Sequence, residues 1–327
     1  MSAHDRLARA GGEDMISPVT GSADVELSDR FDVRTITENY VRQLGFDPAA
    51  YFSGLETVPL YVCRRTGYRF FHPFTLAAKT DLYEHLENLF SYYRWRKGFD
   101  RALDRARPGQ RILEVGCGEG AFLLEAARRG AAVHGVEPSG GAAEKARRSG
   151  VPVTAELPSG PGFADSFDTV CAFHLLEHVP EVGRFLRQVL AVLKPGGSFI
   201  VEVPNNDPYL YRHHKYETLN TPPHHMGLWN LESLREAGRL FGLEIRSSAL
   251  WGLNADEREL DQYFDAQRLN PSSRLTHLLP SLAWSRLKHT RLRRALGDAL
   301  SRALPGRDLF VEFEKMPARS GALPGEG

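Results

Sequence analysis

The stretch RILEVGCGEGAFLLEAARRG, Arg111–Gly130, decides how this chain is read. An apolar run breaks into Gly116, Gly118 and Gly120, at every second position, and a helical pattern over 121–129 follows at once, stopped by Gly130. That order is strand, tight turn, helix. Without a Cβ, the three glycines can take φ/ψ values closed to other residues and can let a ligand come close to the backbone. The turn also carries an acid, Glu114, two residues before the first glycine. Gly116-x-Gly118-x-x-Ala121 satisfies a loose dinucleotide fingerprint. A carboxylate beside a pyrophosphate costs Coulomb energy, however, and the same acid suits a ligand that carries positive charge. S-adenosylmethionine, with its ammonium and sulfonium, is such a ligand.

Outward from the turn, strand and helix patterns alternate. AVHGVEP is a second strand, 141–148 a short helix, VPVTAEL a third strand and FDTVCAFHL a fourth. A helix over 179–193 places Val182, Phe185, Leu186, Val189, Leu190 and Leu193 at three- and four-residue steps, the spacing of one buried face. SFIVEVP is a fifth strand, Asn230 can cap a helix running to Phe241, LEIRSSAL is a sixth strand and DLFVEFEK a closing edge strand. Such alternation specifies an open α/β sheet with helices on both faces, and ligands of such sheets bind at the carboxyl ends of the strands. Glu137 ends the second strand about 20 residues beyond the glycines, where α/β nucleotide sites place a carboxylate on a ribose diol.

ILEVGCGEG, VHGVEPS, FDTVCAFHLLEHVPE and LKPGGSFIVEVPN, taken in order from Arg111 to Asn205, resemble the successive motifs of the class I S-adenosylmethionine-dependent methyltransferases. The resemblance implies a Rossmann-like sheet of seven strands. It implies S-adenosylmethionine as cofactor, with the Gly116–Gly120 turn and Glu114 at its methionyl end and Glu137 on both ribose hydroxyls. Phe173 to Leu175, His174 among them, would flank the sulfonium. For the adenine, Glu156 is the nearest candidate, in a segment longer and richer in glycine than the family's usual pattern.

HLLEH, His174–His178, and PPHHMGLW, Pro222–Trp229, follow strands four and five and so belong at the ligand edge. Tyr209, Tyr211, His213, His214 and Tyr216 crowd the same loop. Three roles are open for this face. Glu177 and His178 can bond the backbone of the following helix, as the EHV sequence does in the family. His225, with His174 as its rival, can serve as general base for a hydroxyl acceptor, with a limb near an imidazole pKa of about 6.5. Glu177, His178 and His224 or His225 also resemble the Glu/His metal cluster of small-RNA 2'-O-methyltransferases, but that family has a further glutamate where this chain has His174. No metal is therefore expected.

YVCRRTGYRFFHP, beginning at Tyr61, resembles the tail of a small zinc-ribbon module found before this fold in some relatives. Only Cys63 remains of its cysteine pairs, and one thiolate cannot hold structural zinc; a degenerate, metal-free cap is expected. Residues 80–106 have helical spacing, with Leu82, Leu86, Leu89, Phe90 and Tyr93 on one side, and that helix is expected to close over the cofactor through Tyr92, Tyr93 and Trp95. The expected organisation is a disordered tail over 1–28, the cap and its helices over 29–106, the core over 107–254, a basic helical insert over 255–305, the last core strand over 306–316 and a disordered tail over 317–327.

Lys+Arg and Asp+Glu are both 41, so no net field points to nucleic acid. Cys63, Cys117 and Cys171 are too few and too scattered for a disulfide framework. No apolar run reaches the roughly 20 residues of a membrane span, and the cytoplasm is the expected compartment. The expected partner is a small-molecule acceptor, a sugar or natural-product hydroxyl, with a homodimer as an open option and the basic insert as one surface for it. The rivals are a metal-assisted RNA 2'-O-methyltransferase-like enzyme, a nicotinamide-dependent oxidoreductase and a non-catalytic subunit that binds the cofactor.

Overall fold

The computed structural model describes residues 15–89, 95–160, 162–206, 215–252, 296 and 305–317. The chain starts on the cap. Strand β1 (Val25–Asp32) runs into helix α1 (Val33–Leu44), which is capped by the Asp32 carboxylate on the Thr35 N–H and closed by Gly45 in the left-handed conformation. Ile36, Tyr40 and Leu44, four residues apart, are its buried face. Strands β2 (Thr57–Cys63) and β3 (Arg69–Phe71) and helix α2 (Thr80–Leu89) complete this part. Helix α3 (Lys97–Ala102) leads into the core: β4 (Arg111–Val115), α4 (Ala121–Arg128), β5 (Ala132–Val136), α5 (Gly140–Arg148), β6 (Val153–Thr154), β7 (Phe167–Phe173), α6 (Val182–Val192), β8 (Leu193–Pro204), β9 (Gly227–Leu228), α7 (Leu231–Leu240), β10 (Leu243–Gly252) and β11 (Pro305–Lys315).

Seven strands form one sheet in the order β10-β11-β8-β7-β4-β5-β6. The five from β8 to β6 are parallel, and β11 lies antiparallel between β8 and β10. Side chains alternate between two apolar layers, as the pleat requires. Leu113, Val115, Val170 and Ala172 pack with Val182, Phe185, Leu186 and Val189 of α6 and Leu234 of α7. Ile112, Cys171 and Phe173 pack on the other face with Phe99 of α3, Phe122 and Leu123 of α4 and Ala146 of α5. After β4 the chain moves to β5 and β6 on one side, and β7 and β8 lie on the other. The carboxyl ends of β4 and β7 therefore border the crevice where ligands of this architecture bind. At the opposite end, Asp168 accepts from the Arg111 N–H (2.8 Å) and Lys194 Nζ (2.6 Å), tying β7 to β4 and to the start of β8.

The cap is joined to this core through a second sheet, β1-β2-β3-β9, whose last strand comes from the loop after β8. Gly227 of β9 sits so close to the cap that a Cβ there would lie 2.0 Å from Tyr68 Oη. Next to it, Trp229 is buried and stacks on Tyr68 with ring centroids 4.0 Å apart. The cap core collects Phe31, Tyr40, Leu60, Phe71, Leu82 and Leu86 with Met226 and Leu228 of that loop.

Several expectations are corrected. The tail expected over 1–28 is ordered where it is described: Val19 is buried in the main core, the Pro18 carbonyl accepts from Gly183 of α6, and β1 begins at Val25. Within 80–106, α2 is described as far as Leu89, which is exposed, and α3, preceded by non-helical Trp95 and Arg96, and a 3-10 turn over Leu103–Arg105 are separate elements. The third core strand is reduced to two residues. The insert over 255–305, apart from residues 296 and 305, the tail from residue 318, and Phe90, Tyr92, Tyr93, Tyr209, Tyr211, His213 and His214 lie outside the described residues. No described helix is long and apolar enough to cross a membrane.

Candidate cofactor and acceptor site

The turn after β4 has the backbone its sequence implies: Gly116, Gly118 and Gly120 all have positive φ, at 75°, 53° and 82°. A Cβ on Gly116 would come to 3.2 Å of Leu175 Cδ1, on the side of the crevice. Gly118 N–H donates to Glu137 Oε2 (2.9 Å) and Ser139 N–H to Oε1 (2.8 Å), so the acid at the end of β5 also holds the turn in shape. Glu114 is 2% exposed, and its Oε2 finds no hydrogen-bond partner among the described residues. Burial, reinforced by the nearby Glu137 carboxylate and only partly offset by Arg96, pushes the Glu114 carboxyl well above the ordinary glutamate range. Burial raises Glu137 as well, against the two backbone donors. Two buried carboxyls, one with an unmet oxygen, beside a turn that admits a close ligand, fit the cationic methionyl end and ribose diol of S-adenosylmethionine. They do not fit a pyrophosphate. Cys117, between the glycines, is buried and its thiol is pushed up by burial, which leaves it inert as a nucleophile.

The other side of the crevice is the end of β7. Phe173 is buried, with its ring 4.8 Å from Phe99 and 5.2 Å from Phe122, so its side chain is packing. His174 follows at a positive φ of 49°, and its N–H donates to the Glu202 carbonyl. That backbone, uncommon for a residue with a side chain, turns the ring among three acids. Nδ1 lies 3.3 Å from Glu177 Oε1, and Nε2 lies 3.6 Å from Asp308 Oδ1 and 3.9 Å from Glu202 Oε2. Glu177 is fully buried with neither carboxyl oxygen hydrogen-bonded among the described residues. Burial raises its pKa to about 8. Glu202 accepts from Trp251 Nε1 (2.8 Å) and is raised to about 7, chiefly by burial.

His225 lies deeper than its sequence position implies. It is 6% exposed, with Nδ1 3.1 Å from Asn220 Oδ1 and Nε2 3.9 Å from Glu177 Oε1. Burial and the neighbouring His224 push its pKa well below the ordinary imidazole value, so the limb near 6.5 expected of it does not apply. The structural role expected for Glu177 and His178 is also corrected. His178 Nδ1 lies 2.6 Å from the His224 carbonyl, on the other loop and not on the following helix. Tyr216 packs in the cap, 5.2 Å from the Phe31 ring, and Trp229 packs in the main core against Tyr68. Glu156 is exposed just past β6, where its carbonyl accepts from the Thr154 hydroxyl.

Sequence reasoning missed Glu202, Asp308, Asn220 and Tyr40. Glu202 carried a signal, an acid within the apolar run SFIVEVP. Tyr40 had none: its hydroxyl donates to the Thr221 carbonyl (3.0 Å) and accepts from His224 N–H (3.3 Å), across 181 and 184 residues.

The profile of the family described as "Methyltransferase domain" matches residues 84–248, just over half of the chain. A ubiquinone biosynthesis O-methyltransferase of Aeromonas salmonicida is 35% identical over 111 residues, 32% of this chain and 47% of that protein. Its namesake from Rhizobium rhizogenes is 38% identical over 120 residues, 33% of this chain and 48% of that protein. The chain thus spans about half the length of the curated relatives it matches. Among solved structures, a chain of the complex between the Haloferax volcanii Trm112 methyltransferase activator and the putative methyltransferase aligns over 75% of this chain and 100% of its own, with a TM-score of 0.50 and 17% identity, a likeness of fold. The strand order, the glycine turn with its two buried acids and the matched profile agree: this chain belongs to the methyltransferase-domain family.

Proposed function

We propose that this protein transfers the methyl group of S-adenosylmethionine to a hydroxyl of a small-molecule acceptor, a sugar or natural product, with His174 as the general base. The observation that carries the reading is the position of His174. It directly follows β7, across the crevice from Glu114 and the glycine turn, with Nδ1 3.3 Å from the buried Glu177. Glu114 would receive the ammonium of the cofactor and Glu137 its ribose diol. When bound, S-adenosylmethionine supplies an electrophilic methyl on sulfur. Glu177, once ionised above its raised pKa of about 8, would orient the Nδ1–H of His174 towards Oε1, which sets the tautomer and leaves Nε2 to take the proton of the attacking hydroxyl. The remaining work of the chain is to orient the acceptor and exclude water. Methyl transfer to oxygen also agrees with the O-methyltransferase names of the relatives. Of the two histidines suggested by the sequence, His174 is favoured because it is the more open to the crevice; His225 is enclosed by His178 and His224.

The test is incubation with methyl-labelled S-adenosylmethionine and a fractionated extract of hydroxylated metabolites, read by mass spectrometry. A labelled methyl ether that His174→Gln fails to form supports the reading. Label on nitrogen or carbon would overturn the acceptor class. Cofactor binding without any labelled product would favour a non-catalytic subunit.

A further inference from the structure

We propose that His178, His224 and His225 bind one divalent transition-metal ion, with the Glu177 carboxylate beside it, in a site that fastens the cap-bound loop to the end of β7. One ring nitrogen of each histidine lies within 4.8 Å of those of the other two. The rings cluster with centroids 4.5–4.8 Å apart, two of them stacked and the third nearly perpendicular to both.

Each ring has its tautomer set by an oxygen acceptor. Nδ1 of His178 faces the His224 carbonyl (2.6 Å), Nδ1 of His224 the Leu219 carbonyl (2.9 Å) and Nδ1 of His225 the Asn220 side-chain oxygen (3.1 Å). A carbonyl oxygen only accepts, so in the neutral ring the proton sits on Nδ1 and the lone pair on Nε2. Nδ1–H on a carbonyl is the arrangement that orients metal-bound imidazole. A second observation is independent of the rings: the fully buried Glu177 has no hydrogen bond to either carboxyl oxygen among the described residues, and Oε1 lies 3.9 Å from His225 Nε2. Oε1 faces His174 Nδ1 at 3.3 Å, but Oε2 has no such neighbour among the described residues; a buried carboxyl oxygen left unmatched is costly, and a cation beside it removes the cost.

The backbone holds the site from both parts of the fold. Tyr40 of α1 holds the loop at Thr221 and His224, Ala78 N–H donates to the Pro223 carbonyl, and Met226 N–H donates to the Glu177 carbonyl. Three imidazoles and a carboxylate suit zinc and its neighbours in the first transition row, with metal–nitrogen distances of about 2.0–2.1 Å. The sequence implied an incomplete cluster because a glutamate was absent at His174; the structure instead brings in the second histidine of the HHM pair.

The test uses the full-length protein without an affinity tag, stripped with chelator and titrated with Co²⁺ and Zn²⁺, with S-adenosylmethionine affinity measured on the same samples. Expected are about one equivalent of Co²⁺ per chain, as for a single site, visible ligand-field bands, and displacement by Zn²⁺. His224→Ala and His225→Ala should lose the bands, and His72→Ala, outside the cluster, should keep them. If a variant does not fold, the imidazole ¹⁵N resonances of the unmutated protein decide, with three of its twelve histidines shifting together on Zn²⁺ addition. No stoichiometric uptake by protein that still binds S-adenosylmethionine, or uptake that survives both substitutions, overturns the proposal. Because uptake is read without turnover, either result leaves the methyl-transfer reading to its own test.

Discussion

Nδ1 of His174 lies 3.3 Å from Oε1 of Glu177, a carboxyl buried completely beneath it. This pairing couples the end of β7 to the interior. His174→Gln is expected to lower kcat by about 10²–10⁴, the usual worth of a positioned base, with the S-adenosylmethionine Kd changed by less than about twofold. Glu177→Gln should lower kcat as well, with the same cofactor affinity. Steady-state kinetics beside calorimetric titration checks both. A large loss of cofactor affinity in either variant would make these residues part of the cofactor site.

Glu114 gives the pH dependence. Its folded pKa is raised by burial and by Glu137, so the folded apoprotein holds a proton that the unfolded chain gives up at ordinary glutamate pH. Its contribution to apoprotein stability therefore falls as pH rises from the unfolded pKa towards the folded one. A bound ammonium favours the ionised form, so S-adenosylmethionine should bind more tightly as pH rises and should release protons on binding. Glu114→Gln should remove the proton release, weaken binding by about 1–3 kcal/mol and stabilise the apoprotein at neutral pH. Calorimetry in buffers of different ionisation enthalpy reads the proton count; affinity independent of pH would contradict the assignment.

Asp168 works in the opposite direction. Burial alone would raise its carboxyl, but the hydrogen bonds from Lys194 and the Arg111 N–H outweigh it and hold the pKa below the ordinary aspartate value. Such a depressed acid contributes stability above its unfolded pKa, and the contribution is lost as pH falls through the folded one. Asp168→Asn should therefore flatten the loss of stability below about pH 4. The effect at neutral pH should be modest, because Lys194 is 40% exposed and such pairs contribute about 1 kcal/mol or less. Thermal denaturation against pH checks it.

Gly227 marks the seam between cap and core. A methyl group there would overlap the Tyr68 hydroxyl at 2.0 Å, so Gly227→Ala should destabilise the fold by about 1–3 kcal/mol, the range for overpacking. Denaturant titration reads the change; a neutral substitution would mean that the β3–β9 pairing is looser than described.

What was legible in the sequence was local. The strand-turn-helix at Arg111–Gly130 announces itself because glycines at fixed offsets can serve a positive-φ turn, and the same chemistry exposed Glu114 and Glu137. The helix after Asn230 was legible for a similar reason: its capping box is closed by Ser233, three residues away. The cap sheet was not legible. β1 is mostly exposed and reads as a polar tail, and its partner is set by pairing Val25 with Cys63 across the intervening chain. β9 is two residues long and shows no period. The histidine cluster falls between these cases. Its residue types stood out, but the carbonyl of His224 meets the ring of His178 across 46 residues, and only the fold shows which nitrogen each ring has committed.

The central claim is that the crevice between β4 and β7 holds S-adenosylmethionine, and calorimetric titration of the protein with S-adenosylmethionine and, separately, NAD tests it most directly. The account predicts stoichiometric binding of S-adenosylmethionine, abolished by Gly118→Val, and no measurable heat with NAD. Binding of NAD with no response to S-adenosylmethionine would contradict it.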